Sequence, residues 1–291
     1  MYSKRSSLTG LLYLAPALVF VAAFTIYPLA QMSWMSLNNW SLIAERKFVG
    51  LGNFVKIWND PQFWASLEFT FKYTLLITPI LMGLGLLIAL LTATNSPLRR
   101  FTRAVVFAPV VIGLGASSLL WYWLFSYDFG LINRLLLDLH LIGKPIVWFG
   151  ADANVAMWAV IVSIVWKVVG FGMILFVAAI QAIPSELTEA SMVDGAGYWQ
   201  RVHKITLPLI ARTILLVTLV SVIGSLLAFD QFYIMTAGQP RNLTATSVFL
   251  IYLNSFPYLK LGYGAAMSLV LAGIILICTI FQIVLTRRSH A

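Results

Sequence analysis

Long apolar runs alternate with shorter polar stretches along this chain. The runs fall at 11–33, 70–93, 104–126, 155–183, 210–234 and 263–285. At about 1.5 Å of rise per residue, each can cross roughly 30 Å of hydrocarbon. The pattern predicts six transmembrane helices and an all-α integral membrane protein. The first run is broken only by Pro16 and Pro28 and follows a polar start carrying Lys4 and Arg5. Such a start can mark a signal peptide. This run is longer than a typical signal core and has no clear small-x-small cleavage site, so it reads as an uncleaved span. Residues 1–68 then form a first helix with an outer segment, and residues 69–286 form a five-span core.

Composition agrees with a membrane solvent. Of 291 residues, 60% are hydrophobic and 10% charged, more apolar surface than a soluble domain can hide. The single cysteine, Cys278, lies in an apolar run, so no intramolecular disulfide can form and packing is its expected role. The net charge of +9 does not point to nucleic acid, because the basic residues flank the spans instead of forming one patch. Lys4, Arg5, Arg99, Arg100, Arg103, Arg201, Lys204, Arg212, Arg287 and Arg288 fall on one side. An excess of basic residues marks the cytoplasmic face, so both termini and the 184–208 loop are expected there.

That loop is the longest polar interruption between two strongly apolar runs. From Glu189 to Pro208 it reads EASMVDGAGYWQRVHKITLP. Ser185 is placed to cap a helix start, with Glu186 and Glu189 in a first turn where the helix dipole favours carboxylates. Asp194-Gly195 predicts a stop, because glycine tolerates the left-handed geometry that ends helices. Tyr198, Val202 and Ile205 recur at helical spacing and predict a second, amphipathic helix. Pro208 suits the first turn of the next long helix. Two readings stay open from this pattern: a docking surface for another protein, or an interfacial helix on lipid headgroups.

Glu189-Ala190-Ser191, Asp194-Gly195-Ala196 and Ile205-x-Leu207-Pro208 resemble the EAA loop of ABC-importer permeases. Ser191 stands where a second Ala is usual, Val202 where Phe is common, and Arg212 where Pro often follows. Gly50-Leu51-x-Asn53-Phe54 resembles the GL-x-NF element of carbohydrate-type permeases. Gly130-Leu131-Ile132-Asn133 resembles their GLLN, and Trp166-Lys167 their WK pair. Phe229-Asp230, Tyr233 and 236–240 resemble their FD-x-x-Y…TxGGP run, with Gln239 replacing a glycine. Gly170 stands where Pro is frequent, so a bend in the fourth span is expected. The resemblance runs from about Leu12 to the last span and places the chain beside MalF-type and glycerol-phosphate-type permeases.

The resemblance implies a type I ABC importer permease fold in a bacterial inner membrane. It implies a second, homologous permease, two ATP-binding cassette subunits and an extracytoplasmic solute-binding protein as partners. ATP and Mg would belong to the ATPase, with no cofactor on this chain. The solute would be a sugar, polyol or glycoside, or a phosphorylated or sulfonated derivative. Glu186, Glu189, Ala190, Asp194, Gly195, Ala196, Ile205 and Pro208 would form the ATPase-coupling loop. In it Glu189 would pair with a basic residue of the ATPase, and Gly195 would permit the turn in its cleft.

Candidates for the solute path are sparse. Lys167 lies about a dozen residues into its run, roughly 18 Å deep, where a charge is expensive. It serves either as a donor to the solute or in a fixed pair with a neighbouring carboxylate or carbonyl. Asp230 lies nearer the outer mouth, in a gate, contact or structural role. Trp121, Tyr122, Trp166, Phe229 and Tyr233 could stack on sugar faces or serve as interfacial belt aromatics. Gln231 and Asn254 complete the set. No GxxxxGK[ST] loop, HExxH or Cys/His ligand cluster occurs, so neither nucleotide nor metal chemistry is indicated. His140, His203 and His290 are scattered, so no catalytic pair is suggested. The rivals are an ion-coupled secondary transporter, which often carries inverted repeats, an ABC permease for another solute class, and a membrane enzyme acting on lipid-linked substrates.

Overall fold

The structure is a computed structural model. It describes residues 4–41 and 45–288, with side chains over 13–41 and 45–284. The side chains of Lys4, Arg5, Arg287 and Arg288, used above for orientation, lie outside that range, as does His290. In chain order the first helices are α1 (Lys4–Val21), α2 (Tyr27–Ser36), α3 (Gly52–Trp58), α4 (Pro61–Thr92), α5 (Pro97–Val111), α6 (Leu114–Leu124), α7 (Leu131–Asp138) and α8 (Ala153–Gln181). There follow α9 (Ser185–Val193), α10 (Tyr198–Arg201), α11 (Leu207–Leu209), α12 (Ala211–Leu226), α13 (Ser247–Ser255) and α14 (Leu261–Arg288). Wider π-helical turns occupy Ala22–Ile26, Val202–Thr206 and Phe232–Thr236.

Four stretches are long and apolar enough to cross a membrane: Tyr13–Ser36, α4, α8 and Leu261–Val284. Two bent pairs raise the number to six: α5 with α6, at 100°, and Tyr198–Leu209 with α12, at 70°. The run 104–126 is therefore not one straight helix. Ile112 and Gly113 adopt extended backbone and break it. The basic stretch 95–103 is helical from Pro97 on, because Ser96 caps α5 by accepting the Arg99 N–H at 3.3 Å. The run 210–234 is regular only to Leu226, and the stretch after Thr236 contains α13. α8 runs as one helix from Ala153 to Gln181, through Gly170.

The chain divides into two compact units. One joins Met1–Pro61 with Leu250–Ile274. Its first span is exposed along its apolar length; an apolar helix of this kind takes lipid as its solvent. Strands β1 (Asn38–Asn39) and β2 (Lys47–Phe48) pair antiparallel below it. Buried Asn53 ties this corner together, donating to the carbonyls of Ser36 at 2.8 Å and Asn38 at 3.0 Å. That is the local work of the Gly50-to-Phe54 element. Tyr263 donates to Asp60 at 2.6 Å and the Gly262 N–H bonds the Trp40 carbonyl at 3.0 Å, so the start of α14 closes on the same corner.

The other unit, Gln62–Phe249 with Ile275–Ala291, holds the main core. Tyr73, Ile77 and Leu81 of α4 face Met157, Val160 and Ile164 of α8 around Phe125 and Phe232. Phe232 meets Phe69 and Tyr73 edge-on, with centroids 5.4 and 5.0 Å apart. Thr70 joins α4 to α13, accepting the Ser247 N–H at 2.9 Å. Asn133 organises the outer loop: its amide donates to the Ile146 carbonyl at 3.0 Å, and its carbonyl accepts from Ile146 N and Trp148 Nε1 at 3.1 and 3.0 Å.

Candidate functional site

The 184–208 loop is the most exposed helical structure in its unit. α9 is capped by Pro184 with no side-chain cap, so Ser185 is inside the helix instead of before it. Only Glu186 falls in the first turn; Glu189 lies beyond it. The stop is a Schellman turn at Gly195, where φ is +79°. Ala196 N–H reaches the Ser191 carbonyl at 2.9 Å and Gly195 N–H the Met192 carbonyl at 3.1 Å, which satisfies the last carbonyls of α9. Arg201 Nη1 donates to the Ala196 carbonyl at 2.7 Å and holds the turn from the other side.

Every residue from Pro184 to Ala190 is exposed, with Glu186, Glu189 and Ala190 among them. So are Leu187, Met192, Val193 (89%) and Asp194. Sequence reading missed these three apolar positions, although apolar residues in the longest polar interruption are themselves a signal. Beyond Gly195, the expected regular face widens into the π turn. Val202 is buried and Ile205 half-buried, but Tyr198 is exposed. Pro208 sits in α11, before the bend at Ile210, and not in the first turn of α12.

The same unit contains a cavity of about 220 Å³ between α4, α8 and α12. Its walls are mainly aliphatic. Tyr73, Ser221, Ser225, Asp230 and Gln231 supply its polar groups, and Phe229 an aromatic wall. Tyr73 and Gln231 are hydrogen-bonded to one another. Tyr73, Ser221 and Ser225 were not singled out from the sequence, because isolated hydroxyls on separate apolar runs have no local spacing signal.

The predicted path residues separate into groups. Asp230 and Gln231 line the cavity, and Tyr233 stacks on its wall residue Phe229 at 5.2 Å. Trp121 and Trp166 form an edge-on pair at 5.7 Å, and Trp121 Nε1 is buried with no hydrogen-bond partner among the described residues. Tyr122 stacks on Phe149 at 5.9 Å. Lys167 is 6% exposed and donates to the Val110 carbonyl at 2.8 Å, the carbonyl partner anticipated as one of its two roles. Asn254 belongs to the other unit and bonds the Leu250 carbonyl of its own helix at 3.0 Å.

Comparison with known proteins supplies the class. Residues 81–290 match the family of binding-protein-dependent transport system inner membrane components, and the chain belongs to that family. It is a multi-pass permease subunit. The chain is 34% identical to the lactose transport system permease protein LacF of Rhizobium radiobacter, with 98% of each chain covered. It is also 34% identical to the sulfoquinovosyl glycerol permease protein SmoG of Agrobacterium fabrum, over 91% of this chain and 85% of that one. The trehalose/maltose permease protein MalF of Thermococcus litoralis is 31% identical over 97% of this chain and 95% of its own. In fold the chain is similar to a chain of a bacterial alginate ABC importer, with a TM-score of 0.85 at 23% identity, covering 98% and 96%.

Proposed function

We propose that this chain is the permease subunit of an ATP-driven importer that takes up a sugar or sugar-like solute. Relatives named for lactose, trehalose/maltose and sulfoquinovosyl glycerol support the solute class. One chain of the same fold occurs in an alginate transporter in complex with a pentasaccharide-bound periplasmic protein. That supports an extracytoplasmic binding protein as the donor of solute. A second permease would complete the path on the cavity side, and two ATPase subunits would bind ATP and Mg. The termini and α9 face the cytoplasm in this reading, in a bacterial inner membrane. Solute would pass the cavity holding Tyr73, Ser225, Asp230 and Gln231.

The observation that carries the reading is α9 itself. A loop helix that exposes Leu187, Met192 and Val193 beside Glu186 and Glu189 is unfinished without a partner. Its apolar knob and carboxylates suit a cleft lined by apolar and basic groups. Binding of ATP would then bias two arrangements of the ATPase pair, and α9 would carry the difference to α8 and α12. Glu189→Ala tests this. Removing one partner of a desolvated charge pair costs about 2 kcal/mol, or about thirty-fold in affinity. Co-purification of the ATPase should fall accordingly while membrane insertion stays at the wild-type level. Full ATPase recovery with the variant would count against α9 as the docking element.

A further inference from the structure

We propose that the second half of the loop, Tyr198–Leu209, together with Arg212 in the first turn of α12, is a binding surface for anionic phospholipid headgroups. Direction is the first argument. This segment meets α12 at 70°, so it runs across the line of a membrane-crossing helix at the point where that helix ends. The second is its two-sidedness. Val202 and Ile210 point inward, at 4% and 1% exposure, while Tyr198, Trp199 and Leu209 are 49%, 63% and 52% exposed. Tryptophan and tyrosine are the side chains suited to headgroup depth, since each joins an apolar body to a polar tip.

Charge is the third argument. No acidic residue occurs between Asp194 and Asp230. Lys204 and Arg212 are exposed, and His203 lies beside Trp199 with ring centroids 6.4 Å apart. Arg201 is not counted, because its guanidinium already serves the Ala196 carbonyl. α9 has the opposite character: Glu186, Glu189 and Asp194 are exposed there, and anionic headgroups would repel them. Gly195 thus divides the loop into an acidic half facing a protein and a basic, aromatic half facing lipid. Bound lipid would fix the segment against the membrane plane and give α9 a firm base to push from.

Each cation near an anionic surface is worth about five-fold in affinity, so Lys204 and Arg212 together give roughly twenty-five-fold. The test uses the assembled transporter in vesicles of phosphatidylcholine alone, or of phosphatidylcholine and phosphatidylglycerol in equal parts. A fluorophore is placed at His203→Cys in a Cys278→Ser background. Headgroup-spin-labelled phosphatidylglycerol should quench it more strongly than spin-labelled phosphatidylcholine. Lys204→Gln with Arg212→Gln should abolish that preference, and Lys204→Arg should keep it. ATPase co-purification should be unchanged in every case. Equal quenching by the two lipids overturns the proposal. Weaker ATPase recovery in Lys204→Gln also overturns it and assigns the surface to the ATPase.

Discussion

Lys167 and Gly170 sit one turn apart on α8, and both meet the final turns of α5. α5 ends at Val111, so the Val110 carbonyl is one of those a helix end leaves unbonded. The Lys167 ammonium fills that vacancy, at the end of a helix where its dipole favours a cation. Gly170 makes the approach possible. A Cβ there would lie 2.9 Å from the Phe107 Cα and closer still to the Val106 carbonyl oxygen, both of them backbone atoms that cannot swing aside. Gly170→Ala therefore has to move a helix, at a cost of about 1–3 kcal/mol. The purified variant should unfold at a lower temperature than wild type. Gly83→Ala should not, because nothing lies within 4 Å of a Cβ at that position. Equal midpoints for the two variants would mean that α5 and α8 tolerate separation.

The loop elements behave differently because their geometry rests on backbone conformation more than on packing. Gly195 at φ +79° closes α9, while Gly197 two residues on has an ordinary φ of −67°. Gly195→Val would force a β-branched residue into the left-handed region at a cost of about 1–2 kcal/mol. Hydrogen exchange in α9 should quicken several-fold, with the long helices unchanged and ATPase recovery reduced. Gly197→Ala, whose Cβ would meet only the Gln200 side chain at 3.9 Å, should leave exchange as it was. The Gly195 stop was legible in the sequence because Asp-Gly after a helical stretch has one cheap conformation. The breaks at Ile112–Gly113 and at Ile210 were not. Each lies inside a run whose length and apolarity suit one straight span, and hydropathy carries no information on direction. α13 was hidden for a related reason. Thr246, which accepts the Phe249 N–H at 3.2 Å, starts it between the apolar runs 210–234 and 263–285, in a stretch that opens with the turn residues Gly238, Gln239 and Pro240. Those residues do form a turn, with Thr244 bonding Thr236 at 2.9 Å and the Gln239 carbonyl at 2.7 Å, but it is finished before the helix begins.

For the molecule as a whole, the issue is how a chain with so few polar groups can move a polar solute. The membrane removes water as a competitor, so each polar side chain inside it has to be satisfied by protein or by cargo. Most of those present are already engaged: Lys167 by Val110, Thr70 by Ser247, and Asn254 by its own helix. The cavity brings a carboxylate, an amide and two serine hydroxyls together on a mainly aliphatic wall, with the Ser225 hydroxyl resting on the Val222 carbonyl at 2.9 Å and Gln231 on Tyr73. Sugars present the matching alternation of hydroxyl edges and C–H faces. The cavity can be filled from a position outside the loop and outside the core cluster. Gly224 lines it, and a Cβ built there meets nothing within 4 Å. Gly224→Leu should fill the space from an open position, so the thermal midpoint and ATPase recovery should match wild type while solute uptake falls at least ten-fold. If uptake stayed normal with the space filled, solute would have to travel elsewhere. If the midpoint fell as well, the space would be a packing reserve of the fold, and the polar groups around Asp230 would need another purpose.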